Sequence, residues 1–200
     1  DGIVCPLRGG ASPFKKRDLN LLKQLVNTHL NIQVPPQDEL INLALTVHPD
    51  MITLIPGEGP GATAEGGMEV LAGQNRVESI IKDIRAQAIV SSILIEPEVQ
   101  YIKAAAKAGC DYVELAVWSY TQSNSINERQ EQLRRITAGV KAAVKMEMGV
   151  CVSGGIGYQN CGSLVDIEGV EEVIAGKEVI NRGLWIGLEN AVRDMTVLVR

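Results

Sequence analysis

The chain has 200 residues, 46% of them hydrophobic and 22% charged, enough to bury one sizeable core and consistent with a single domain over 1–200. A net charge of −5 argues against nucleic acid or an anionic membrane as partner, and no apolar run approaches the roughly 18 residues a membrane span needs. Four cysteines without C-x-x-C spacing and only two histidines argue against a metal site, so reduced thiols, buried at Cys5 and Cys151, and a cytoplasmic location are expected.

Taken in order, the chain alternates strand and helix. Residues 2–7 read as a strand, followed by a loop with Gly9, Gly10 and Pro13. Residues 18–27 carry apolar side chains at 19, 22, 25 and 26, which is helical spacing. A strand at 30–34 is closed by Pro35 and Pro36, a helix follows at 37–47, and a strand at 51–55. Residues 57–67 then form a long, glycine-rich, acidic loop, a length usually given to a working loop. The helical stripe Val77, Ile80, Ile81 and Ile84 lies within 76–86, before a strand at 88–95 and an alanine-rich helix at 98–108 ended by Gly109. A strand at 112–117 opens into a polar loop at 119–125, and 126–147 reads as the longest helix. A strand at 149–153, a short helix from Tyr158, a strand at 172–175 and one closing helix over 181–198 complete the chain.

Strict alternation with right-handed crossovers predicts a parallel sheet covered by helices. Seven β/α units are visible, whereas a closed TIM-type (β/α)8 barrel needs eight. The expected fold is therefore such a barrel with its first unit missing or truncated. An open doubly wound sheet, which needs a reversal of strand order, is the alternative. A seven-strand barrel leaves two sheet edges, so an upstream segment, a homo-oligomer or another partner is expected to cover the seam.

In a β/α barrel the loops after the strands build the working face. His29 and His48 precede strands and fall on the opposite face, which argues against histidine acid–base chemistry. The working face collects Arg8, Gln33, Thr63 with Glu65, Glu96, Glu114, the Ser153-Gly154-Gly155 turn, and Gly176-Lys177. Arg8 is either a forked grip on a phosphate or carboxylate, or a surface arginine. Glycines after both of the last two strands, at Gly154, Gly155 and Gly176, let backbone amides approach an anion, with Lys177 adding a point charge. Glu114, in an apolar strand, is either a carboxylate of raised pKa or half of a structural salt bridge.

Several segments resemble the pyridoxine 5'-phosphate synthase family: Asp1-Gly2-Ile3-Val4 with Leu7-Arg8, Leu30-Asn31-Ile32-Gln33, Thr63-Ala64-Glu65-Gly66-Gly67-Met68-Glu69-Val70, 100–114 and 175–195. The resemblance implies a β/α barrel that assembles into oligomers. It also implies condensation of 1-deoxy-D-xylulose 5-phosphate with 3-amino-2-oxopropyl phosphate, without metal or organic cofactor. The family's proton-transfer positions fall at Pro6, Gln33 and Gly155, none of which can move a proton at neutral pH. A further family histidine falls at Pro13, and a His-Thr-Gly run reads Ala116-Val117-Trp118. The gripping positions Arg8, Thr63, Gly154 and Gly176 match.

The pattern points to a relative that holds a small phosphorylated metabolite with weak or no ring-closing activity. An active synthase completed by groups from elsewhere, and a non-catalytic assembly partner, are the alternatives. A different chemistry using Glu65 or Glu114 as base with Lys177 also remains open.

Overall fold

The computed structural model describes residues 1–8, 14–57 and 66–200. Seven strands alternate with helices: β1 (Gly2–Pro6), α1 (Lys16–Leu25), β2 (His29–Val34), α2 (Asp38–Val47), β3 (Met51–Leu54), α3 (Gln74–Ala86), β4 (Val90–Ile95), α4 (Val99–Ala108) and β5 (Tyr112–Ala116). They continue as α5 (Trp118–Thr121), α6 (Ile126–Lys145), β6 (Gly149–Ser153), α7 (Gly162–Val165), β7 (Glu172–Ile174), α8 (Lys177–Ile186) and α9 (Leu188–Leu198). All neighbouring strands pair in parallel and in sequence order, β1 to β7. The absence of a strand-order reversal rejects the doubly wound alternative and fits a nearly closed TIM-type barrel.

The curvature is visible in one contact. Gln33 on β2 and Glu114 on β5 hydrogen-bond at 2.8 Å, although three strand spacings, about 14 Å along a sheet, separate their backbones. Only side chains projecting into a common interior can meet in that way.

The outward faces of the strands pack Leu30, Ile32, Ile52, Ile93, Val113, Val150 and Val152 against apolar helix stripes, such as Val77, Ile80, Ile81 and Ile84 of α3. Burial on both faces explains why β3 has no exposed residue. Helix ends follow local rules. Asp18 accepts a hydrogen bond from the Lys15 amide at the start of α1, and Ser125 Oγ accepts one from Glu128 at the start of α6. Gly109, at φ 84°, ends α4 in the left-handed conformation.

The amino ends of the strands are tied off by carboxylates. Asp50, just before β3, accepts the Leu30 amide at 2.9 Å, and Asp111, just before β5, accepts the Ser91 amide at 2.9 Å. His29 opens β2 and His48 caps α2 ahead of β3, so both lie at this end as expected. Cys5 and Cys151 are each 1% exposed. Burial, with Asp18 nearby, pushes the Cys5 thiol up to about 11, so it stays protonated.

Three expectations need correction. The closing helix over 181–198 is two helices, broken at Gly187 with φ 83°. The polar loop expected at 119–125 opens inside a short helix, α5, which starts at Trp118 and runs to Thr121. The short helix after the sixth strand begins at Gly162, because 158–161 form a turn in which Gly157 donates to Asn160 Oδ1. Among the described residues, no helix is long and apolar enough to cross a membrane.

Candidate functional site

Six of the seven strands, and the residue following β3, meet at their carboxyl ends around one cavity of about 460 Å³. Pro6, Gln33, Leu94, Glu114, Ser153 and Ile174 come from β1, β2, β4, β5, β6 and β7, and Ile55 follows β3. The size is that of a small-molecule site, in the place a barrel puts one. A second hollow, of about 440 Å³, is an open depression on the outer face of α6 beside Arg134 and Lys141.

Glu114 forms the floor and is 1% exposed. Gln33 Nε2 donates to both of its oxygens, at 2.8 and 2.9 Å, and Ser153 Oγ donates to Oε1 at 2.5 Å. Burial holds this carboxyl above the usual carboxylate range; the Ser153 and Gln33 bonds pull it down without cancelling that effect, and Glu172 adds to the rise. Its partners among the described residues are an amide and a hydroxyl, with no ion pair there, so the salt-bridge reading of Glu114 gives way to that of a carboxyl of raised pKa.

One wall is apolar: Ile55, Leu94 and Ala116 pack together with Trp118 against them. The rest of the rim is cationic and glycine-rich, with Trp118 lying against its Gly154 and Gly155. Arg8, just after β1, and Lys177, the first residue of α8, both line the cavity with Gly154, Gly155 and Gly176. The first turn of α8 therefore forms part of the wall, with the partial positive charge of a helix start. Glu178 lies there too and offsets one cation.

The glycine turn is held from outside. Thr121 Oγ1 donates to the Gly154 carbonyl at 2.9 Å, and Asn160 Nδ2 donates to that of Gly155 at 3.0 Å. Gly154 and Gly155 adopt φ of 115° and 67°, backbone that side chains rarely tolerate.

The fold thus brings Pro6, Arg8, Gln33, Glu114, Gly154, Gly155, Gly176 and Lys177 to one cavity. Thr63, Glu65 and Pro13 lie outside the described residues. Glu96 instead accepts the Gly67 amide at 3.1 Å, holding the end of the long loop against β4. Sequence reasoning missed the roles of Trp118, Gln122 and Glu178 in the lining, and of Thr121 and Asn160 behind the turn. The only available signal was position: 117–122 directly follow a strand, where barrel sites are built.

Chemically, the arrangement offers two cations, backbone amides and one buried carboxyl. Pro6 and Gly155 have no side-chain proton to move, and the Gln33 amide can only donate to or accept from a neighbour. The site is better equipped to hold an anion than to relay protons.

The protein-family model described as pyridoxal phosphate biosynthesis protein PdxJ matches residues 1–200. A pyridoxine 5'-phosphate synthase of Geotalea daltonii is 34% identical over 200 residues, which cover all of this chain and 84% of the relative. One from Geobacter sp. strain M21 is 36% identical with the same coverage. Among solved structures, a 3-hexulose-6-phosphate synthase superposes with a TM-score of 0.63 at 12% identity, over 98% of this chain and 87% of the other. The YdjI aldolase of Escherichia coli K12 gives 0.62 at 12% identity, over 99% and 78%. At such identities these two structures bear on the fold alone.

Proposed function

The chain belongs to the PdxJ family of pyridoxal phosphate biosynthesis proteins, and on that premise we propose that it binds a small phosphorylated metabolite in the strand-end cavity with little or no ring-closing activity. The observation that carries this reading is the split between the two kinds of residue around the cavity. Arg8, Lys177 and the glycine turns remain on its rim, while Pro6, Gln33 and Gly155 stand at the positions the family resemblance gives to proton transfer.

The phosphate would sit between Arg8, Lys177 and the amides at Gly154, Gly155 and Gly176, where charge and helix start act together. Proton-transfer groups each contribute roughly 10²–10⁴-fold to rate. Three such losses leave Glu114 as the titratable group on the floor, able to steady a neighbouring hydroxyl or carbonyl. The long glycine-rich segment with Thr63 and Glu65 is assigned to the same ligand on the resemblance alone. Assembly into a homo-oligomer, or with a partner across the seam between β1 and β7, belongs to the same proposal.

Arg8→Ala should abolish binding of 1-deoxy-D-xylulose 5-phosphate by calorimetry while leaving the circular dichroism spectrum unchanged. An unaltered affinity would remove Arg8, and with it the phosphate seat, from the account.

A further inference from the structure

The peptide linking Gly154 to Gly155 is the most easily turned in the cavity wall. A peptide plane flips by changing ψ of the residue before it and φ of the residue after it. Glycine on both sides removes the Cβ clashes that oppose such a flip. The two residues stand at φ 115° and 67°. Both line the cavity, so the way this plane faces decides whether the cavity meets an N–H or a carbonyl oxygen.

One hydrogen bond holds the plane directly. Thr121 Oγ1 donates to the Gly154 carbonyl at 2.9 Å, and its approach to the Trp118 carbonyl within α5 is longer, at 3.2 Å. The next plane is held by Asn160. Its Nδ2 donates to the Gly155 carbonyl at 3.0 Å, and its Oδ1 accepts the Gly157 amide at 2.8 Å. Asn160 is anchored in turn by α5: Tyr120, 3% exposed, donates from its hydroxyl to the Asn160 carbonyl at 3.0 Å. Val117, just ahead of α5, donates to the Ser153 carbonyl at 2.8 Å and ties the helix to β6.

Thr121 and Asn160 stand behind the turn, outside the cavity lining. Both planes are trans, so each N–H points opposite to the carbonyl that shares its plane. The amides of Gly155 and Ile156 are thereby turned away from Thr121 and Asn160, toward the cavity. Among the described residues, neither amide has an acceptor of its own.

We propose that Thr121 is a positioning residue: its hydroxyl pins the Gly154–Gly155 peptide so that the Gly155 N–H, and not the Gly154 carbonyl, faces the cavity. Without that bond the plane is free to flip, and a carbonyl oxygen then stands where an anion's oxygen has to sit. Repulsion between two acceptors replaces a hydrogen bond. This rests on the phosphate-binding reading above and adds the side chain that keeps the turn in its binding form. Shape alone does not do this, because valine would fill the same space without a donor.

Calorimetry with inorganic phosphate on the full chain compares wild type, Thr121→Val and Thr121→Ser. Thr121→Val should weaken phosphate about three- to tenfold, the worth of one such hydrogen bond. Thr121→Ser, which keeps the hydroxyl, should stay within about twofold of wild type. An unchanged affinity in Thr121→Val, or an equal loss in Thr121→Ser, would overturn the inference and leave phosphate binding standing. A wild-type protein that binds no phosphate would overturn both readings.

A second measurement needs no variant to fold. In amide-resolved NMR of the wild-type protein, saturating phosphate should move the Gly155 amide resonance downfield, as its N–H takes up a charged acceptor. Phosphate binding with that resonance unmoved would mean that the Gly155 amide does not face the anion, and Thr121 would lose the role.

Discussion

At the scale of single residues, Glu114 is the most consequential group. Its carboxyl is held above the ordinary range chiefly by burial, with Gln33 and Ser153 as donors. An unfolded glutamate titrates near 4.3, so from about that pH upward the unfolded chain loses its proton before the folded one does. The folded state then binds more protons, and stability falls as pH rises from the unfolded value through the higher folded value. Glu114→Gln removes this dependence. Urea denaturation of both proteins from pH 4 to 9 should show wild type losing ground against the variant across that window. A constant difference would mean that the carboxyl is not raised. From sequence, the carboxylate in an apolar strand was recognisable as unusual, and so was its need for a partner. That the partner is Gln33 was not legible, because residues 81 positions apart meet only when the sheet curls.

At the scale of elements, the strand–helix alternation and most boundaries follow from apolar periodicity, since each helix buries one stripe against strands buried on both faces. The failure at 181–198 has a specific cause. Apolar residues keep helical spacing through Gly187, yet this residue takes φ 83° and ψ 145°, which ends one helix and starts the next. Periodicity senses which side chains can share a face, not a backbone torsion open to glycine. A Cβ at Gly187 would meet nothing within 4 Å, so Gly187→Ala isolates the torsional cost and should destabilise the protein by about 1–3 kcal/mol. Gly162→Ala, in α7 and equally free of contacts, should be neutral or stabilising by up to about 1 kcal/mol. Equal effects in urea titrations would contradict the torsional explanation.

At the scale of the whole molecule, the sheet runs from β1 to β7 without a closing pair among the described residues, while α8 and α9 leave apolar side chains in solvent. Leu184 is 81% exposed, Trp185 90% and Val197 72%. Large apolar side chains left in solvent on two neighbouring helices are a feature of association surfaces. Sedimentation should therefore give a mass above the 21.5 kDa of one chain, and Trp185→Glu should move it toward the monomer. A monomeric wild type would leave these side chains without that role. The barrel and its site end were legible in the sequence because they depend on element order. The surface was not, because an exposed apolar helix face has the same spacing as a buried one.

The central claim is that the cavity keeps its grip on phosphate and has lost ring closure. Mass spectrometry of the protein incubated with 1-deoxy-D-xylulose 5-phosphate and 3-amino-2-oxopropyl phosphate tests it most directly. The account predicts a phosphorylated ligand retained on the native protein and no pyridoxine 5'-phosphate above the uncatalysed rate. Product forming at an ordinary enzymatic turnover, on the order of 1 s⁻¹ or faster, would contradict it and make the chain an active synthase despite Pro6, Gln33 and Gly155.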